Sequence, residues 1–117
     1  MKSKSMFFAS VIVLALTLPA LAQEDKLGKV SFPTSCDPKV QAQFERGVAM
    51  LHSFWYSAGE KMFNDVLAQD PSCAIATWGI AALLMSNPLA GAGSSPKGAA
   101  QAQAAIDQGR KIGAKTQ

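Results

Sequence analysis

The apolar residues of this chain recur three and four positions apart, which is the spacing of amphipathic helices. No stretch shows the sustained alternation of apolar and polar residues that indicates a half-buried strand. A first helical stripe consists of Val40, Phe44, Val48, Leu51 and Trp55. A second consists of Gly59, Met62, Phe63, Val66 and Leu67. The pattern predicts an all-α fold.

Two further helices are predicted downstream, and they differ in character. The segment AIATWGIAALLM, residues 74–85, is apolar almost all the way round, which predicts a helix buried on most sides. Residues 98–112 are rich in alanine and have a thin apolar side, formed by Ala99, Ala102, Ala105, Ile106 and Gly109. We therefore expect the fourth helix to cover the third only thinly.

The predicted helix starts share one signal, a capping side chain followed by proline. It occurs at Asp37-Pro38, Asp70-Pro71 and Ser95-Pro96. An Asp or Ser oxygen accepts a hydrogen bond from a free first-turn amide, and proline at the first helical position loses no intrahelical bond. We predict helices at about 38–55, 57–69, 71–86 and 96–113, each boundary placed to within ~3 residues, with Gly113 as the stop of the last. The short break at 56–58 predicts an antiparallel hairpin of the first two.

The amino terminus has the features of a secretory signal peptide. Lys2 and Lys4 precede an apolar stretch at 6–18, and Ala20-Leu21-Ala22 provides small residues for cleavage after Ala22. The stretch is short for a membrane span, although an uncleaved membrane anchor is the alternative interpretation. The sequence thus predicts a periplasmic or secreted protein with no membrane association after cleavage.

Charge argues against a nucleic-acid partner. Loss of Lys2 and Lys4 lowers the basic count from 11 to 9 against 8 acidic residues, so the mature chain is nearly neutral. The mature chain has no Lys/Arg cluster of the kind that follows a phosphate backbone.

The two cysteines, Cys36 and Cys73, both lie in the predicted exported part. An even pair in an oxidising compartment favours a disulfide. Two free thiols and a metal pair are the alternatives, but the chain has no C-x-x-C spacing and a single histidine.

The spacing of Asp37-Pro38 and Asp70-Pro71 is close to the ~34-residue period of tetratricopeptide repeats. Residues 40–73 resemble one such repeat at five positions: Gly47, Tyr56, Gly59, Phe63 and Pro71. Gln43 and Arg46 stand where the family usually has tryptophan and leucine. Residues 74–108 resemble a second, degenerate repeat with an inserted loop at 86–95, and the wider stretch is similar to the opening of longer exported bacterial tetratricopeptide-repeat proteins.

This resemblance implies a domain organisation and a binding role. Residues 1–22 are then the signal peptide, 23–36 an extended segment, and 37–117 two helical hairpins at the front of a longer solenoid. The groove that binds a protein or peptide partner is expected at Gln41, Phe44, Val48, Leu51 and His52. An apolar peptide or helix suits these residues best. The alternative to a longer solenoid, which follows from the thin cover of the third helix, is a protomer that buries the open side of the third and fourth helices in a partner or in a second copy.

His52 leaves three interpretations open: a partly buried residue beside hydrophobic packing, a groove contact, or a haem or metal ligand. No C-x-x-C-H motif is present for covalent haem attachment. The chain is predicted to be a scaffold module, and the alternative is a small exported helical protein that binds a ligand or metal through His52.

No residue pattern supports catalysis. The segment AGAGSSPKGAA, residues 90–100, lacks the Gly-Lys-Ser/Thr order of a phosphate loop. Ser94 and Ser95 have no G-x-S-x-G turn, and no spacing places two carboxylates together for acid–base chemistry. We therefore predict no enzyme activity and no cofactor.

Overall fold

The computed structural model describes residues 26–91 and 93–116. They form four α-helices: α1 (Pro38–His52), α2 (Tyr56–Gln69), α3 (Ile75–Leu84) and α4 (Pro96–Thr116), with one turn of 3-10 helix at Pro88–Ala90. No strand occurs in these ranges, so the all-α prediction is confirmed. The predicted signal peptide at 1–22 lies outside the described residues.

Two of the three predicted helix starts are confirmed. The Asp37 carboxylate accepts a hydrogen bond from the Lys39 amide at 2.9 Å, and Pro38 opens α1. At the start of α4, the Ser95 hydroxyl oxygen accepts from the Gly98 amide at 3.0 Å. In both cases a short polar side chain satisfies a first-turn donor that has no partner within the helix.

The third predicted start is wrong, because α3 begins at Ile75 rather than at residue 71. The Asp70 carboxylate instead accepts hydrogen bonds from Ser72, which folds 71–72 into a turn, and from the Asp37 amide at the start of α1. The capping group is thus used in a turn and a long-range contact, and the helix starts one turn later.

The ends of α1 and α4 lie within the ~3 residues allowed for the predicted boundaries, but the predicted stop at Gly113 is wrong. α1 stops at His52, because Phe54 takes the left-handed conformation with φ of 60°. The Trp55 amide then bonds to the Met50 carbonyl and the Phe54 amide to the Leu51 carbonyl, which is the Schellman ending usually made by glycine. Gly113 does not end α4, which continues to Thr116.

Neighbouring helices run antiparallel, and α3 contacts both α1 and α2. The centre of this three-helix contact is Phe63 of α2, which is fully buried between Gly47 of α1 and Gly79 of α3. Among the described helices, α4 packs on α3 alone. The core therefore centres on α1–α3, and α4 adds buried Ala102 and Ala105 where it covers one side of α3.

Cys36 and Cys73 form a disulfide, as predicted, with their Cα atoms 4.9 Å apart. The bond joins the residue before α1 to the turn before α3, because the α1–α2 hairpin returns the chain to the same end. In the loop-entropy model a closed loop of this length stabilises the fold by about 4 kcal/mol.

Candidate functional site

The five predicted groove residues are not equally accessible. Phe44 and Val48 are buried in the core, with exposed fractions of 0% and 3%. Gln41 and Leu51 are half-buried, and His52 is exposed at the end of α1. Phe44 and Val48 therefore act as core residues in this structure, and the accessible part of the predicted groove is limited to the ends of α1.

The start of the predicted groove is covered by the chain's own amino-terminal segment. Residues 26–37 contain no helix and run along α1. The Gln41 side-chain amide donates to the Phe32 carbonyl at 2.8 Å and accepts from the Thr34 amide at 3.2 Å and hydroxyl at 2.7 Å. Glu45 accepts from the Phe32 amide at 3.0 Å. Two helix side chains thus hold the main chain of the segment.

The segment is also anchored by an aromatic contact. The Phe32 ring meets Phe44 edge-on at a centroid distance of 5.3 Å, and it stacks on Trp78 of α3 at 5.8 Å. Both geometries are favourable for aromatic pairs. The sequence pattern assigns Phe32 no role, because the extended segment has no periodicity that relates it to a helix face.

Leu51 and His52 lie at a different small cavity of about 280 Å³, at the loop end of the hairpins. Its wall consists of Leu51, His52, Phe54, Tyr56, Ala82, Ser86 and Pro88. No other histidine, cysteine or carboxylate lines this cavity. The structure therefore offers no ligand set for a metal around His52 within the described residues.

One cluster of potential metal ligands occurs in the described ranges, at Cys36, Asp70 and Cys73, with ligand atoms within 4.8 Å of one another. Its two sulfur atoms are bonded to each other. Oδ1 of Asp70 accepts from the Ser72 amide and hydroxyl, and Oδ2 accepts from the Asp37 amide. Since the thiolates are absent and both oxygens are occupied, the cluster is a structural junction.

The pKa of the buried Asp70 carboxyl is lowered, and hydrogen bonding is the cause. The Ser72 hydroxyl contributes most, followed by the Asp37 amide, while partial burial acts in the opposite direction. Donors aimed at a carboxylate favour its charged form. Asp70 therefore holds the start of α1 against the end of α2 as an ionised group.

An apolar concavity of about 460 Å³ lies between α3 and α4. We call it the α3–α4 groove; it is lined by Trp78, Ala81, Ala82, Met85, Ala99, Ala102, Gln103 and Ile106. Trp78 and Met85 remain 36% and 50% exposed there. Alanine leaves α4 without the bulk that would cover these side chains, as its sequence pattern predicted.

Comparison with known proteins gave no match to this chain among protein-family models, curated proteins or solved structures. Within the described residues, no helix combines the length and the apolar character needed to cross a bilayer.

Proposed function

We propose that this protein is an exported helical-repeat scaffold that binds another protein, and that its two hairpins are successive units of tetratricopeptide type. In such a solenoid, each new unit packs its first helix into the groove between the two helices of the unit before. The position of α3 against both α1 and α2 supports this relationship. Glycines at the closest contacts support it too, since Gly47 and Gly79 both face Phe63.

The observation that carries the proposal is the apolar α3–α4 groove. The groove lies between α3 and α4, just as α3 itself packs against both α1 and α2. Partly exposed Trp78 and Met85 form one wall, and half-buried Ile106 lies on the other. An apolar groove between two helices suits an amphipathic helix of a partner.

Export is the second part of the proposal, with cleavage after Ala22 and a periplasmic or secreted location. The Cys36–Cys73 disulfide supports it, because such bonds persist mainly in oxidising compartments. The chain is proposed to act through binding rather than catalysis, without a cofactor.

A pair of matched variants tests the helix-docking surface. Ala99 and Ala104 are both exposed residues of α4, but only Ala99 lines the α3–α4 groove. In sedimentation velocity, the mature 23–117 chain should associate with itself, or with a partner protein captured from periplasmic extract. Ala99→Arg should weaken that association at least ~10-fold because it places a charge in the groove, whereas Ala104→Arg should leave it unchanged.

The thermal transition gives a second test of the same surface. Because binding stabilises the folded state by mass action, the midpoint should rise with protein concentration if copies cover the groove of one another. A monomer at every concentration, with a sharp and concentration-independent transition and no partner in periplasmic extract, would overturn the scaffold proposal.

A further inference from the structure

The amino-terminal segment is attached to the helices in the manner of a bound peptide. No main-chain hydrogen bond joins the described part of 26–36 to the helices. The Gln41 amide instead bonds to the carbonyl of Phe32 and to the amide of Thr34, two residues further along. A side chain that pairs with main-chain groups of alternate residues recognises an extended chain whatever its sequence.

Selectivity at this surface comes from two positions of the segment. Phe32 places its ring against Phe44 and Trp78, and the Thr34 hydroxyl donates to the Gln41 carbonyl oxygen at 2.7 Å. Pro33 between them is exposed and has no amide hydrogen to satisfy. The chemistry fits an aromatic residue followed, two positions later, by serine or threonine.

We propose that the surface formed by Gln41, Phe44, Glu45 and Trp78, which we call the clamp, is a binding site for an extended segment of a partner protein. The partner segment carries the aromatic-x-Ser/Thr chemistry of Phe32 to Thr34, and the chain's own segment is the competing occupant. Trp78 lines both the clamp and the α3–α4 groove, but the clamp holds an extended segment and does not require a helix docked in the groove.

The way the segment is attached to the helices allows its exchange with a segment of a partner. All four clamp residues belong to α1 and α3, whose own main-chain hydrogen bonds do not involve the segment. Release of the segment therefore exposes the clamp while the helices stay folded, which is a local opening rather than unfolding. The disulfide at Cys36 keeps the released segment tethered next to its site.

Tethering makes the own segment a strong competitor. A short flexible tether gives an effective concentration in the millimolar range, so a free peptide of the same sequence competes poorly. Its apparent affinity is reduced by the fraction of molecules whose clamp is open. Weakening the own segment should then strengthen binding in trans, because the open fraction of the clamp rises.

Trp78 provides the signal for a direct test. The test uses the oxidised full chain with two substitutions. Trp55→Phe leaves Trp78 as the sole tryptophan, and Phe32→Ala empties the space that the Phe32 ring fills. Titration with the synthetic peptide KVSFPTS, residues 29–35, should give a saturable change in tryptophan fluorescence. The Phe32→Ala chain should bind this peptide at least ~10-fold more tightly than the chain that retains Phe32.

Two controls assign the binding to the clamp. The peptide KVSAPTS should give no saturable change, because it lacks the aromatic ring. Gln41→Ala in the Phe32→Ala chain should weaken binding of KVSFPTS by ~5–10-fold, because two main-chain contacts lose their partner. Circular dichroism establishes that each variant is helical, and Phe32→Leu replaces Phe32→Ala if the latter does not fold.

The possible outcomes are distinct. No saturation by millimolar KVSFPTS in either Phe32 variant overturns the proposal, as does binding that ignores Gln41→Ala or the ring of the peptide. Sedimentation that shows copies exchanging their own segments would assign the clamp to self-association and overturn a partner peptide. None of the substituted residues lines the α3–α4 groove, and Ala99 lies outside the clamp, so failure of peptide binding leaves the result of the Ala99→Arg experiment standing on its own.

Discussion

The ring of Phe63 lies against the backbone of Gly79 so closely that a Cβ at residue 79 would come within 3.0 Å of three ring atoms. On the other side the ring meets Gly47, where a Cβ would lie 2.9 Å from Cε1. Phe63 has no exposed surface, so it has no room to move away from either glycine. One aromatic side chain and two glycines therefore set the separation of α1, α2 and α3.

Gly79→Ala should destabilise the protein by about 1–2 kcal/mol, because overpacking exceeds the gain of about 1 kcal/mol in helix propensity. Gly113→Ala is the matched control, since nothing lies within 4 Å of a Cβ there and only the propensity gain remains. Urea denaturation measures both changes. Equal stabilisation by the two substitutions would contradict this packing of Phe63 against Gly79.

Asp70→Asn should cost about 1–2 kcal/mol at neutral pH, because an amide nitrogen replaces one of two oxygens that accept hydrogen bonds. Asp65→Asn is the control, since Asp65 forms an exposed ion pair with Lys61 and such pairs contribute little. Both variants are compared with the parent chain by urea denaturation. A similar loss for both would argue against the Asp70 junction.

The effect of Asp70→Asn should depend on pH with a definite sign. The folded-state pKa of Asp70 is lowered, so its stabilisation is present above the unfolded value of about 3.9. This stabilisation declines as the pH falls through the folded-state pKa, because the Asp70 carboxyl binds a proton more readily in the unfolded chain than in the folded one. The difference in unfolding free energy between the parent and Asp70→Asn should therefore shrink from pH 6 toward about pH 3. A difference that stays constant over this range would refute the assignment.

Phe54→Gly should raise the unfolding free energy by about 1 kcal/mol. Phe54 holds a left-handed conformation that costs a residue with a Cβ about 1–2 kcal/mol, and its ring is 50% exposed. Ser53→Gly is the control, because Ser53 has a negative φ of -96° and gains nothing from glycine. A loss of stability in Phe54→Gly would show that the ring packs more usefully than its exposure indicates.

Replacing both Cys36 and Cys73 with serine should lower the unfolding free energy by up to about 4 kcal/mol. The same loss should follow reduction of the parent chain, and reductant should have no effect on the double variant. Thiol titration of the unfolded, oxidised parent checks the bond directly. Two reactive thiols in that sample would contradict the disulfide.

The sequence by itself determined the helical class, the approximate positions of four helices, the caps at Asp37 and Ser95, and the cysteine pair. These features rest on signals that act within one or two helical turns, such as apolar periodicity or a side chain that reaches the next amides. The cysteine pair could be predicted because the chain has only two cysteines and the hairpin brings them together. The thin cover of α3 by α4 could be predicted from the alanine content of α4 alone.

Tertiary structure decided the features that depend on residues far apart in the chain. Asp70 carries the same local signal as Asp37, but the Asp37 amide, 33 residues away, engages its carboxylate. Phe32 belongs to no periodic pattern, and only the meeting of α1 with α3 creates the slot between Phe44 and Trp78 that holds it. A local pattern specifies which atoms seek partners, whereas the packed helices determine which partners come within reach.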